Sequence, residues 1–484
     1  MKQLLSLLFL VFSLANACAQ DKKALKYAKT ITEADLKSRL SVLAADSLEG
    51  RETGKRGQKI AAQYLKEQFK SFGLVPVVPT ENGKSYIQNY PLQSSIIREG
   101  YFKKGEEVKV NFEDYLYYSR QATEGEEEVE IIFLGNKSID DLKAMDVEGK
   151  FVAIRSKEGS VSTLLPQLKE LNTEGIMMIV EDESRFGMLM SIYGKRMKTT
   201  KLSLDTINST NKIIFGTPEL LSWIFGEPYD SLVLSETEKS AKVLLNAKMQ
   251  LEVINAENVL GFIEGTEKPE EVLVISAHYD HIGIEANGDI NNGADDDGSG
   301  TSTVLEIAQA FSEAAKAGIK PKRSILFLLV SGEEKGLLGS EYYTLNPIFP
   351  MANTVTNLNV DMVGRTDPSH EEKADYIYVI GADRLSQELQ DISEKINQTY
   401  VNLDLDYTYN DEKDPNRYYF RSDHYNFAEK GVPIIFYFNG THADYHKSTD
   451  TIEKIEFDHM RKRALLVFHT AWELANREDR VKLK

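Results

Sequence analysis

Apolar residues change their spacing along the chain, and this divides it into three regions. In residues 31–75, Ile60, Tyr64, Leu65 and Phe69 recur at helical spacing, which predicts helices interrupted by a polar, Gly-rich loop at 46–54. Between about 100 and 250, short β-rich runs dominate, with one helical stretch at residues 164–171. From about residue 258 onward, apolar runs alternate with helical segments.

The third region has the pattern of a layered α/β domain. Continuous apolar runs at 272–276, 324–331, 355–363 and 432–438 predict buried strands, and a helix over residues 302–315 lies between the first two runs. Strands that are apolar on both faces and joined by helices indicate a doubly covered, mostly parallel (mixed) sheet. We therefore predict residues 21–100 and 252–484 as two parts of one α/β domain, with a β-rich domain inserted at 101–251.

The first 19 residues are typical of a secretory signal peptide. Lys2 carries the positive charge, an apolar run follows at residues 4–14, and small residues surround Cys18. Two kinds of processing fit: cleavage after an Ala-x-Ala site, or lipidation of Cys18 as in a bacterial lipoprotein. Both predict an exported protein of the periplasm or cell envelope, with membrane attachment only through a lipid anchor at Cys18.

Charge and cysteine content exclude several classes of function. The chain has 57 Lys and Arg against 75 Asp and Glu, so its net charge is 57 − 75 = −18, and we expect no nucleic-acid binding. Cys18 is the only cysteine, which excludes an internal disulfide and a thiolate metal site. A metal ion would have to be held by His, Asp and Glu.

Residues of this kind follow each of the four predicted strands. The carboxyl ends of parallel strands meet at one edge of a sheet, where ligands bind. One such residue would be unremarkable, but converging carboxylates repel one another unless a dication lies between them. The residues at or near this edge are His278 and Asp280 after the first strand, Asp296 at the start of the following helix, Glu333 and Glu334 after the second, Asp361 after the third, and Tyr445 and His446 after the fourth.

Together these motifs resemble the co-catalytic di-zinc exopeptidases, which include bacterial leucyl-type aminopeptidases and glutamate carboxypeptidase; the transferrin receptor shares the fold without the activity. The resemblance covers residues 36–74 and 259–474. It implies the α/β fold of that family, two Zn²⁺ ions per chain and peptide substrates. The inserted region resembles a protease-associated domain through Gly149-Lys150-Phe151-Val152.

The resemblance also implies a role for each residue at the sheet edge. His278 and Asp361 would bind one zinc, Glu334 and His446 the other, and Asp296, in a D-x-x-S-G motif, would bridge the two ions. Glu333 would act as general base on a hydroxide shared by both ions. Asp280 would orient His278, and Tyr445 would donate a hydrogen bond to the oxyanion.

Several alternatives to an aminopeptidase stay open. A single-zinc glutaminyl-peptide cyclase would have the same fold, and a binding or receptor module would have lost ligands. Carboxypeptidase specificity would require a cation for the substrate carboxylate, which Arg365 or Arg421 would provide.

Overall fold

The computed structural model describes residues 20–135, 145–155, 173–204, 212–235 and 237–484. The predicted signal segment with Cys18 and the predicted helix at 164–171 lie outside these residues. The chain forms two compact units, one of residues up to Tyr90 and from Asn255 to Lys484, and the other of Pro91–Ile254. The predicted boundaries at 100/101 and 251/252 lie inside the two long strands Ile87–Lys104 and Lys239–Ile263.

A mixed sheet forms the centre of the first unit. We number its strands β1 to β7 along the chain, and in space they follow the order β6-β5-β7-β4-β2-β3-β1. The four central strands β7, β4, β2 and β3 are parallel. β5 pairs antiparallel with β7 and parallel with β6, and β1 pairs antiparallel with β3. The strands are β1 (Lys239–Ile263), β2 (Lys268–His278), β3 (Arg323–Val330), β4 (Thr354–Val360), β5 (Tyr376–Ile380), β6 (Asp404–Asp406) and β7 (Ile434–Phe438).

Helices cover both faces of this sheet. Leu273 and Ile275 of β2 pack in one apolar core, while Val272 and Val274 pack in another, as expected when alternate side chains of a strand point to opposite faces. The predicted doubly covered α/β fold is therefore confirmed. The helices of this unit are Lys22–Ala28, Glu33–Leu43, Arg56–Phe72, Gly300–Lys316, Leu338–Leu345, Gln387–Tyr400, His424–Glu429 and Phe457–Asn476, and its short strands are Val78–Thr80, Gly83–Ser85, Gly283–Ile284 and Ile290–Asn291.

Local sequence signals fix the ends of the early helices. The Thr32 hydroxyl accepts a hydrogen bond from the Asp35 N–H (3.1 Å) and caps the helix Glu33–Leu43. Gly73 ends the helix Arg56–Phe72 with a φ of 82°, a left-handed conformation that suits glycine. Between these helices, residues Asp46–Arg51 form a short 3-10 turn, which is the polar loop seen in the sequence.

The second unit has its own apolar core and contains a run of paired strands. Four parallel strands lie at its centre, and the antiparallel neighbours Leu116–Tyr117 and β1 flank them. Its resemblance to a protease-associated domain stays a prediction. Every helix within the described part of the chain is too short or too polar to cross a bilayer. The remaining elements of this unit are the strands Glu107–Val110, Glu127–Phe133, Phe151–Arg155, Gly175–Ile179, Lys201–Ser203 and Lys212–Gly216, and the helices Glu183–Leu189, Lys195–Met197, Pro218–Phe225 and Tyr229–Leu234.

Candidate metal centre

The carboxyl ends of the central strands bring the five predicted metal ligands into one cluster. His278 is the last residue of β2, Asp361 directly follows β4, and Glu334 lies four residues beyond the end of β3. Asp296 precedes the helix Gly300–Lys316, and His446 lies in the loop after β7. His278, Asp296 and Asp361 are buried, whereas the His446 side chain is 36% exposed.

Asp296 lies at the centre of this cluster. Its Oδ1 is 3.3 Å from His278 Nε2, and its Oδ2 is 3.1 Å from His446 Nε2. On either side of Asp296, each imidazole has a second carboxylate nearby. Asp361 Oδ1 lies 3.6 Å from His278 Nε2, and Glu334 Oε2 lies 3.1 Å from His446 Nε2. The donors thus form two groups that share one carboxylate.

These separations fit zinc coordination. Ligand atoms bound tetrahedrally at about 2.0–2.1 Å from Zn²⁺ lie roughly 3.3 Å from one another. Glu334 Oε1 is buried and lies 2.8 Å from His281 Nδ1, but the two atoms do not have the geometry of a hydrogen bond. A bound cation would satisfy that oxygen.

The electrostatics of the cluster favour positive charge. Burial acts to lower the pKa of His446, but its hydrogen bonds with Asp296 and Glu334 raise the pKa to about 10. Burial also acts to lower the pKa of His278, but the charges of Glu333 and Asp361 raise this pKa well above its usual value. The carboxylates of the cluster therefore favour positive charge at the site, whether it comes from protonated imidazoles or from metal ions.

Glu333 and Tyr445 face the same cluster. Glu333 Oε2 lies 4.0 Å from His278 Nε2, and burial raises the pKa of Glu333 well above its ordinary value. Tyr445 stacks on His446 with ring centroids 3.9 Å apart. Burial, reinforced by the Asp296 charge, raises the pKa of Tyr445 above its usual range, so its hydroxyl keeps its proton at neutral pH.

Asp280 lies behind His278, although the contact differs from the predicted one. His278 Nδ1 is 3.1 Å from the backbone carbonyl of Asp280 and 3.6 Å from its carboxylate. The carboxylate accepts hydrogen bonds from the Thr53 hydroxyl and the Glu333 N–H. Both the backbone and the side chain of Asp280 therefore help to position the residues around His278.

The residues beside Asp296 shape its loop. Asp297 Oδ1 accepts the N–H of Gly300 (2.8 Å) and that of Met362 (3.1 Å), which ties this loop to the end of β4. A Cβ on Gly300 would lie 2.4 Å from both Asp297 Oδ1 and the Val360 carbonyl oxygen. The glycine of the D-x-x-S-G motif is therefore required by close packing.

Some residues that support the site were not identified from the sequence. Ser422 donates a hydrogen bond to Asp361 Oδ2 (2.7 Å), and Asp450 accepts the N–H groups of Asp295 and Asp296. Arg51 is fully buried. It donates hydrogen bonds to the backbone carbonyl of Tyr279, directly after β2, and to those of Asn292 and Gly293, shortly before Asp296. The Gly-rich loop around Arg51 was noticeable in the sequence, but the contacts of its side chains were not.

The fold and the site define a class of protein: an α/β protein whose mixed sheet presents a carboxylate–imidazole metal centre at the carboxyl ends of its strands. Residues 258–471, somewhat less than half of the chain, match peptidase family M28. The predicted relationship to the zinc exopeptidases is thereby confirmed at the level of the family, which implies zinc as the metal.

Individual relatives share only part of their length with this chain. Leupeptin-inactivating enzyme 1 of Streptomyces exfoliatus is 31% identical over 187 residues, covering 38% of this chain and 36% of the relative. A probable leucine aminopeptidase of Arthroderma otae is 31% identical over 214 residues, covering 43% of this chain and 55% of the relative. The chain thus spans about a third to just over half of the length of these curated relatives.

The fold extends over nearly the whole chain in solved structures. An aminopeptidase from Aneurinibacillus sp. strain AM-1 aligns with a TM-score of 0.56 at 18% identity, covering 95% of this chain and 97% of that one. At this identity the likeness shows the fold alone.

Proposed function

We propose that this chain is a zinc-dependent exopeptidase, most specifically an aminopeptidase that removes N-terminal residues from peptides. The family match of residues 258–471 and the names of the relatives support a peptidase. The observation that carries the proposal is the placement of Asp296 between two imidazoles, with Asp361 and Glu334 completing the two donor groups.

In this proposal two zinc ions occupy the two donor groups. His278 and Asp361 would hold the first ion, Glu334 and His446 would hold the second, and Asp296 would offer one carboxylate oxygen to each. A pair of zinc ions lowers the pKa of water and polarises the scissile carbonyl. The remaining steps belong to side chains that bind no metal.

Glu333 is the general base of the reaction. It takes a proton from the attacking water at its carboxylate and delivers that proton to the leaving amine nitrogen, so the atoms balance over one hydrolysis. Tyr445 donates its phenolic proton in a hydrogen bond to the substrate oxyanion.

The test compares matched substrates on the purified, zinc-loaded full chain. Leucyl-nitroanilide should be hydrolysed, whereas its N-acetylated form and an N-blocked peptide with a free C-terminus should not. Hydrolysis of the N-blocked peptide instead would identify a carboxypeptidase. If the enzyme cleaves none of these substrates, the proposed function is wrong. A zinc content of one per chain, with cyclisation of an N-terminal glutamine, would favour the cyclase instead.

A further inference from the structure

Arg421, which pairs with no acidic residue in the described part of the chain, lies beside the metal centre. The cavity at the centre has a volume of about 30 Å³, room for about one water molecule, and the described residues that line it include one with a permanent positive charge, Arg421. The cavity is otherwise lined mainly by His278, Asp296, Glu333, Asp361, Tyr418 and Phe438.

The other arginine considered from the sequence is already neutralised. Arg365 Nη1 lies 3.3 Å from Asp444 Oδ2, and Lys454 also pairs with Asp444. Arg421, by contrast, forms no ion pair with any of the described residues. It is exposed at the cavity, which leaves its guanidinium open to a ligand.

Stacking holds the Arg421 guanidinium in place. Its Cζ lies 4.8 Å from the ring centroid of Tyr418, and that ring packs against Phe438 with centroids 4.9 Å apart. A guanidinium stacked on an aromatic ring keeps the N–H groups in its plane free for hydrogen bonds. These N–H groups match the geometry of a carboxylate, which they bind through two parallel hydrogen bonds.

The position of Arg421 in the chain connects it to the metal centre. The next residue, Ser422, donates its hydroxyl to Asp361 Oδ2 at 2.7 Å, so the backbone at Arg421 is held beside a proposed zinc ligand. The net charge of −18 repels anionic substrates from the protein as a whole. An unpaired arginine in the cavity offsets this repulsion at the site itself.

We infer that Arg421 is a specificity-determining residue that binds a carboxylate of the substrate. The inference rests on the proposed peptidase function and adds the substrate class: peptides that place a carboxylate next to the scissile bond. Two sources have this chemistry, namely an acidic side chain on the N-terminal residue and the free α-carboxylate of a dipeptide.

The experiment measures kcat and KM for two matched substrate pairs. Glutamyl-nitroanilide against glutaminyl-nitroanilide tests the side chain, and leucyl-glycine against leucyl-glycinamide tests the α-carboxylate. In wild-type enzyme we expect the carboxylate member of at least one pair to have the higher kcat/KM. Arg421→Met should lower that kcat/KM by about 10- to 100-fold, mainly through KM, and leave the amide members nearly unchanged.

Two further variants separate this role from a general one. Arg421→Lys keeps the charge without the planar guanidinium and should restore only part of the preference. Arg417 is the matched control, because it also stacks on an aromatic ring (Phe420, 4.7 Å) but does not line the cavity. Arg417→Met should leave the preference intact.

The outcomes distinguish this inference from the proposed function. Equal losses on all substrates in Arg421→Met would mean that Arg421 acts on the reaction rather than on a carboxylate, and no loss would mean that it binds nothing; either result overturns the inference while the peptidase function stands. If wild-type enzyme cleaves none of the substrates, the proposed function fails. Calorimetric binding of glutamate against glutamine, and of leucyl-glycine against leucyl-glycinamide, to wild type and Arg421→Met then still tests the inference, which requires tighter binding of the carboxylate member of at least one pair that depends on Arg421.

Discussion

The Thr53 hydroxyl donates a hydrogen bond of 2.6 Å to Asp280 Oδ2, although 227 positions separate the two residues in the chain. Both side chains are buried. Since the other oxygen of Asp280 accepts the N–H of Glu333 (3.2 Å), this contact connects the early Gly-rich loop to the ends of β2 and β3. The loop is therefore part of the support of the metal centre.

Removing that hydroxyl should weaken the site without changing its ligands. Thr53→Val leaves a buried carboxylate oxygen without its donor, so we expect a loss of about 1–3 kcal/mol in the free energy of unfolding. Zinc affinity should fall by about 10- to 100-fold, which is typical when the group supporting a metal ligand is lost. Competition with a chelator measures the affinity. Thr53→Ser keeps the hydroxyl and should behave like wild type; equal effects of Val and Ser would argue against the hydrogen bond.

Asp296→Ala should remove both zinc ions. The shared carboxylate contributes an oxygen to each donor group, so its loss leaves His278 with Asp361 and His446 with Glu334 as incomplete pairs. Elemental analysis after dialysis measures the zinc content. Asp289→Ala removes the same charge from an exposed loop residue and should retain both ions. Two tightly held ions in Asp296→Ala would show that Asp296 is no bridge.

The adjacent glutamates should separate metal binding from catalysis. We expect Glu333→Ala to retain zinc and to lose turnover by about 10²- to 10⁴-fold, the usual contribution of a general base. Glu334→Ala should instead lose the zinc ion that it shares with His446. Zinc content and kcat of the two variants, measured in parallel, decide between the roles. Loss of zinc in Glu333→Ala would make Glu333 a ligand.

The metal-binding residues at the strand ends could be predicted because the apolar runs of the sequence show where the strands end. Apolar runs located β2, β3, β4 and β7, and the carboxyl ends of parallel strands necessarily meet at one edge. His278, Glu334 and Asp361 could therefore be placed near one another before any coordinates were known. Their assignment to particular metal ions came from the family resemblance.

Contacts between distant segments could not be predicted in this way. The Thr53–Asp280 and Ser422–Asp361 hydrogen bonds join residues far apart in sequence, and neither Thr nor Ser is distinctive in a loop. The same holds for Arg51, because a buried arginine and a solvated one look alike in a sequence. Tertiary packing alone decides which of these side chains reach the site.

Arg51 should be essential for the stability of the site. Its guanidinium donates to four backbone carbonyls, those of Leu43, Tyr279, Asn292 and Gly293. Arg51→Met leaves these buried oxygens without donors, and we expect it to lower the free energy of unfolding by at least about 3 kcal/mol. Urea denaturation measures this change.

The control for Arg51 is an arginine close by in the chain. Arg56 has a side chain that is 70% exposed, and its partner is Glu49. Arg56→Met should change stability by less than about 1 kcal/mol. Similar effects of the two substitutions would mean that the Arg51 hydrogen bonds contribute no special stability.

His469 should make the protein less stable in mild acid. It lies buried in the helix Phe457–Asn476, stacked on Tyr400 with centroids 4.1 Å apart, and burial lowers its pKa from 6.5 to about 4. Below pH 6.5 the unfolded chain takes up a proton at this residue, whereas the folded chain does so only near pH 4. The folded state therefore loses stability as the pH falls from 6.5 towards 4.

His469→Gln cannot bind this proton, so its stability should depend less on pH. Between pH 7.5 and pH 5, wild type should lose about 2 kcal/mol more than the variant, because each unit of pKa difference corresponds to about 1.4 kcal/mol. Urea denaturation of metal-free protein at the two pH values measures this, and the shared effects of all other groups cancel in the comparison. Even if glutamine packs less well and lowers stability at both pH values, the difference in slope remains the test. If the free energy of unfolding depends on pH in the same way in wild type and variant, His469 has the same pKa in the folded and unfolded states and the prediction is wrong.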